Sequence, residues 1–141
     1  MKFLDRLHPL ALLVLRLGLG IIMTAHGWQK LSGGLGKFMG FLPNIGVPGW
    51  MAYLVVAAEL GGGILVLVGL LTRLGALSIL IDMTVAIIKV HWKNGLKGPG
   101  GFEFPLACAV IAFALIFLGA GPISLDGAFF RGGGGGGSAR K

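Results

Sequence analysis

Eight ionisable side chains lie inside or at the rim of long apolar runs: Arg16, His26, Lys30, Glu59, Asp82, Lys89, His91 and Glu103. At membrane depth a charged group costs several kcal/mol unless it is paired or faces a wet cavity, so each needs a partner. The helical rise of about 1.5 Å per residue sets their depths. Measured from the cytoplasmic end, Arg16 falls at about 9 Å, Asp82 at about 14 Å, Glu59 at about 18 Å, and His26 with Lys89 at about 24 Å. Two layers result. The inner one is a buried charge network, with Arg16 set against Glu59 and Asp82. It serves either to fix helix register or, if one carboxylate stays protonatable, to carry a proton-coupled step. The outer layer holds His26, Lys30, Lys89, His91 and Glu103.

Within the outer layer His26 and Lys30 are one turn apart and share a face, and Asp82 and Lys89, seven apart, nearly do. A histidine beside a lysine, under a glycine-rich loop, can hydrogen-bond a carbonyl and pass a proton. His26, Lys30, Lys89 and Glu103 are therefore the ligand-binding candidates. No metal site is expected, because His26 and His91 lie on different spans without a partner at ligand spacing. Trp28, Trp50 and Trp92 either anchor the membrane interface or wall a pocket for a ring-shaped ligand.

The elements that must position these groups are membrane helices. The 141 residues are 55% hydrophobic and only 12% charged, with a mean hydropathy of +0.90. A soluble domain carries about 25% charged residues, so this chain has too little polar surface to coat a globule in water. Four apolar segments reach spanning length, at about 9–31, 50–71, 73–92 and 104–120. The expected fold is an all-α bundle of four transmembrane helices, forming one membrane domain over 1–130. Residues 131–141, mostly glycine, are expected to form a disordered tail. Arg16 interrupts what would be a leader's apolar core, and Met23-Thr24-Ala25-His26 offers no cleavage site, so the first span is expected to be retained.

The connections are uneven. Almost nothing joins spans two and three around Leu71-Thr72-Arg73, which makes a tight hairpin. Residues 32–49 form a long glycine-rich loop with Pro43 and Pro48, lying on the bundle mouth through Leu35, Phe38, Met39, Phe41, Leu42 and Ile45. Residues 93–101 make the other long loop on the same side. Glycines inside the spans (Gly18, Gly20, Gly61, Gly62, Gly63, Gly69 and Gly75) suit close helix contacts. Lys2, Arg6, Arg73, Arg131, Arg140 and Lys141 lie on one side, against Lys30, Lys37, Lys93 and Lys97 on the other. This excess puts both termini in the cytoplasm. The net charge of +7 follows from these flanking residues rather than from a basic patch interleaved with aromatics, so no nucleic acid is expected. Cys108, the lone cysteine, forms no intrachain disulfide and reads as a small hydrophobe.

Several stretches resemble the DoxX family of small bacterial membrane proteins. One is Arg16-Leu-Gly-Leu-Gly-Ile-Ile-Met-Thr-Ala-His26-Gly27-Trp-Gln-Lys30, and another is Glu59-Leu-Gly-Gly-Gly-Ile-Leu-Val-Leu-Val-Gly69-Leu-Leu-Thr72-Arg73. Gly101-Phe-Glu103-Phe-Pro105-Leu and Gly119-Ala-Gly121-Pro122-Ile-Ser124-Leu125-Asp126 are similar too, so the resemblance runs through nearly the whole chain to Asp126. It implies a four-helix membrane fold in a bacterial inner membrane and an association with membrane redox systems, including quinone-linked oxidoreductases. It also matches Arg16, His26, Lys30, Glu59 and Glu103 to the family's recurring polar positions without assigning catalytic roles.

Three functions compete on these grounds. The chain could be a redox-linked subunit that binds a quinone near the outer layer, a non-catalytic scaffold for other membrane or periplasmic proteins, or a small transporter. It encodes no evident catalytic centre, and four short spans leave little room for alternating access.

Overall fold

The computed structural model describes residues 2–130, so the glycine-rich stretch expected to be disordered lies outside the described residues. After one helical turn, Lys2–Asp5, the chain forms five helical elements: α1 (His8–Phe41), α2 (Gly49–Val68), α3 (Thr72–Asn94), α4 (Glu103–Leu118) and the short α5 (Leu125–Phe130). The first three long elements can cross a bilayer by length and composition, and the apolar α4 completes the bundle as its short member. Helix α1 packs along α2, α2 along α3 and α3 along α4, and α4 returns to α1. Large apolar residues such as Val14, Ile64, Leu74, Ile88, Val110 and Phe117 are exposed around this ring, where lipid covers them. The chain is a multi-pass helical membrane protein.

Glycine lets the helices approach closely. A methyl at Gly27 would overlap the Leu60 backbone, and Gly62 and Gly75 face each other so tightly that a Cβ on either would lie 2.9–3.0 Å from the other's carbonyl oxygen. Two of the glycines expected at contacts, Gly18 and Gly61, instead have open space around them. Between the helices sits a core of Leu12, Leu19, Met23, Val66, Ala76, Ile79, Met83, Cys108, Ala112 and Leu115.

The first helix does not stop at residue 31. It continues through a kink at Gly34 (φ 138°) to Phe41 and then tightens into the 3-10 turn Leu42–Ile45. The stretch read as a loop is helical because its apolar residues have a core of their own: Leu35, Phe38, Met39, Ile45 and Met51 pack on buried Leu42, Val47 and Ala52. Helices α2 and α3 each contain a π-helical turn, Ala57–Gly61 and Ile87–His91. The tight hairpin between them is present. Helix α2 ends where Gly69 turns left-handed (φ 71°), and the amides of Gly69 and Leu70 both donate to the Leu65 carbonyl at 2.9 and 3.0 Å.

One end of the bundle is tied by two charged side chains. Arg16, 2% exposed, does not meet Glu59 or Asp82 as the charge count suggested. Its guanidinium donates to the carbonyls of Val66 and Leu67 in the last turn of α2, each at 3.0 Å, and to those of Ala120 at 3.0 Å and Ile123 at 2.6 Å beyond α4. The physical reason is local supply. The last carbonyls of a helix have no intrahelical partner and carry its negative dipole end, and a guanidinium offers five donors in a fixed fork. A Cβ on Gly69 would overlap that guanidinium, so the turn needs glycine for space as well as for φ. Asp126 on α5 does the converse job for α3. Its carboxylate accepts the amides of Leu71 at 2.8 Å and Thr72 at 3.0 Å, while its own amide donates to the Gly69 carbonyl at 2.7 Å.

Replacing Arg16 with leucine strands four carbonyls in an apolar setting, each costing about 1–3 kcal/mol. Arg16→Leu should therefore abolish folded yield in detergent, and Arg16→Lys, which keeps the charge but loses the fork, should fold with a lowered melting temperature. A melting curve of Arg16→Leu like that of the unaltered protein would contradict the role given to this side chain.

Candidate functional site

The opposite end, under the long connections, holds a cavity of about 710 Å³ between the halves of all four spans that lie away from Arg16. Most of its wall is apolar: Phe38, Phe41 and Leu42 from the extension of α1, Leu54 and Ala58 from α2, Ile81 and Val85 from α3, and Phe104 from α4. Into this wall are set His26, Lys30, Glu59, Asp82, His91 and Glu103.

Glu59, 4% exposed, projects from the π-helical turn of α2, where the extra residue re-aims the side chain. Its carboxylate is taken by Lys30, whose ammonium lies 2.6 Å from Oε1 and 2.5 Å from Oε2. Lys30 also sits 5.4 Å from the centre of the Phe38 ring, a cation–π distance. One turn earlier on the same face, the His26 ring lies 5.4 Å from that of Phe104. Asp82 also faces the cavity, and its Oδ2 is shielded from solvent and has no hydrogen-bond partner. On α3, His91 Nδ1 lies 2.7 Å from the Gly100 carbonyl, which also accepts from Asn94 at 2.9 Å, and this holds the 95–101 loop over the site. A carbonyl only accepts, so that nitrogen carries a hydrogen. Glu103 stands exposed at the rim, in the first turn of α4, where the helix dipole favours a carboxylate.

The expected groups are thus regrouped. Of the ligand-binding candidates, His26, Lys30 and Glu103 share the cavity, and Lys89 does not: it is exposed on the outside of α3. Seven residues from Asp82 would return to the same face in a regular α-helix. The π-helical turn Ile87–His91 inserts one extra residue, a rotation of about 100°, and Val90 takes the place on the wall. Of the buried network, Glu59 and Asp82 belong to this site, while Arg16 serves the other end. Lysine has a long flexible stem, so Lys30 reaches in from its rim position to a carboxylate that axial depth alone assigns elsewhere. Trp28, Trp50 and Trp92 are exposed and line no part of the cavity; phenylalanines make its aromatic wall. Phe38 and Phe41 could have been recognised only by seeing that residues 35–45 carry enough apolar side chains to fold back as a helix. Among the described residues, no three His, Cys, Asp or Glu side chains are gathered as metal ligands would be.

Residues 11–92 match the DoxX family model, which takes in every residue of the site except the 98–105 wall. Over 129 residues the chain is 35% identical to CatD of Bacillus subtilis, provisionally named an oxidoreductase, covering 92% of this chain and 94% of that one. It is 38% identical over 74 residues to the inner membrane protein YqjF of Escherichia coli, covering 52% and 56% of the two chains. An uncharacterised membrane protein of Mycobacterium tuberculosis is 37% identical over 100 residues, covering 67% of this chain and 58% of its own. No solved structure matches.

The Lys30–Glu59 pair generates a direct test. Lys30→Met leaves a buried carboxylate without its cation and should cost about 1–3 kcal/mol, at the low end for a buried pair because Lys30 is partly exposed. Adding Glu59→Gln removes the stranded charge and should recover at least half of that loss in a detergent melt. If the two single losses simply add in the double variant, the groups are not coupled.

Proposed function

The chain belongs to the DoxX family of membrane proteins, and from that premise we propose that it is an inner-membrane subunit that holds a small lipid-soluble ring of the quinone type for a membrane redox reaction. The observation that carries this reading is the cavity: about 710 Å³ of largely apolar space with six ionisable side chains converging on it from the bundle's helices. Sites for small organic ligands typically measure about 300–1,000 Å³ and combine apolar walls with a few placed polar groups. Phe38, Phe41 and Phe104 offer faces for a flat ring, and His26 offers a hydrogen bond to a ring oxygen. The carboxyls of Glu59 and Asp82 are placed to hold or release the protons that accompany a quinone's change of redox state. The relatives support this setting: CatD is provisionally named for oxidoreductase chemistry and YqjF for the inner membrane. In this reading the electrons pass between the ring and other membrane or periplasmic proteins, and the chain contributes binding, orientation and proton handling.

The cavity would then open toward the periplasmic half, with both termini cytoplasmic, because Arg73 and Arg6 mark the tied end and Lys37, Lys93 and Lys97 the other. Thiol-labelling of single-cysteine variants should reach Lys37→Cys and Lys97→Cys from the periplasm and not Arg73→Cys; the reverse pattern would invert the orientation.

The binding reading is tested by titrating a fluorescent quinone analogue into protein in nanodiscs, with empty discs as the control. Saturable binding is expected. It should weaken about tenfold or more in His26→Ala, since a lost hydrogen bond at a buried site costs about 1–3 kcal/mol, and stay unchanged in Lys37→Ala. A folded protein that shows no saturable binding would instead be a scaffold for its partners.

A further inference from the structure

The hydrogen-bonding groups facing the cavity are unbalanced. Lys30 directs its ammonium at both oxygens of Glu59, and Ser78 gives its hydroxyl hydrogen to the Gly75 carbonyl at 2.8 Å, so only its lone pairs face inward. His91 has its Nδ1 hydrogen on Gly100. At the rim, the amides of Gly101 and Glu103 are bonded to the carbonyls of Gly98 and Leu96, at 3.0 Å each. The unengaged groups are therefore mostly acceptors: Asp82 Oδ2, which is buried and partnerless, the Ser78 oxygen and the Glu103 carboxylate. Against them stand His26 and whatever remains of the Lys30 ammonium.

A quinone brings two carbonyl acceptors into such a site; His26 can meet one, and the other would face a like group with its desolvation uncompensated. A hydroxyl brings the missing hydrogen. We infer that the cavity selects the reduced, hydroxyl-bearing form of its ring ligand, a hydroquinone or related dihydroxy-aromatic, with one hydroxyl donating to Asp82. This inference rests on the ring-binding reading above and sharpens it: the ring lies against Phe38 and Phe104, one hydroxyl meets Asp82, and His26 donates to an oxygen from the other side. The reduced form is then the one held, and its preferential binding raises the midpoint potential of the bound couple, by about 30 mV for each tenfold of preference in a two-electron pair.

The test compares decyl-benzoquinone with decyl-hydroquinone, the latter kept reduced under anaerobic dithionite, by calorimetric titration of the full chain in nanodiscs. The expected result is hydroquinone binding at least about tenfold tighter than quinone binding. Asp82→Asn, which keeps the shape but supplies a donor as well as an acceptor, should bring the two forms within about threefold by weakening the hydroquinone. The wild-type comparison needs no variant, so a misfolded Asp82→Asn protein leaves the decision intact. Equal or tighter binding of the quinone overturns this inference while leaving the ring-binding reading in place. Saturation by decyltrimethylammonium with no response to hydroquinone assigns the carboxylates to a cation and overturns it too. Saturation by neither ring form overturns both.

Discussion

A guanidinium buried among lipid-facing helices has to be surrounded by acceptors, and in this protein that need organises one whole end of the bundle. Arg16 rises from α1 and binds the carbonyls at the end of α2 and beyond α4. Those carbonyls are the groups a helix leaves unsatisfied, and in a membrane no water is on hand to meet them. Asp126 closes the same end from the other sign of charge by capping the start of α3. All four spans are thereby joined at one level through backbone groups. Gly69 is fixed by this arrangement, both by its left-handed φ of 71° and by the guanidinium packed against it.

An end held that firmly leaves the other end free to be hollow. The helices converge on small residues near Gly27, Gly62 and Gly75, then separate around the cavity, which the folded-back end of α1 covers with Phe38, Phe41 and Leu42. Both π-helical turns border this space. The one in α2 carries Glu59, and the one in α3 ends on His91, so the two departures from regular helix geometry aim two of the site's polar groups. Pairing Glu59 with Lys30 disposes of one negative charge, and the Oδ2 of Asp82 beside it has no hydrogen-bond partner. The contrast between the ends is chemical as well as geometric. At the tied end Arg16 and Asp126 meet backbone, and at the hollow end polar side chains face a cavity.

The spans were legible in the sequence because bilayer thickness imposes a length on apolar runs, and the polar residues that matter were legible because charge inside such runs is costly. Their partners were not. Axial depth placed Arg16 with Glu59 and Asp82, but it ignores backbone carbonyls as acceptors, which have no signature in composition. Depth also ignores reach, which brings Lys30 down to Glu59. The misplacement of Lys89 has a different origin: a π-helical turn is one residue in the hydrogen-bond ladder, invisible to a count of seven, yet it rotates everything after it. Residues 32–45 have the local composition of a loop, with Gly33, Gly34, Gly36 and Pro43, whereas burial of Leu42 and of Val47 just beyond in a small second core outweighs that preference. Helix α5 is short, and its part in capping α3 depends on a tertiary contact between residues 54 and 55 positions apart.

The central claim, that the hollow end is a ring-binding site built on a tied bundle, is tested most directly by photo-crosslinking with an azido-substituted hydroquinone in nanodiscs, followed by peptide mapping. The account predicts label on peptides carrying Phe38, Met51 or Phe104, and its loss when unlabelled hydroquinone competes. Label that resists competition and spreads over the lipid-facing side chains of α4, such as Phe113 and Phe117, would contradict it.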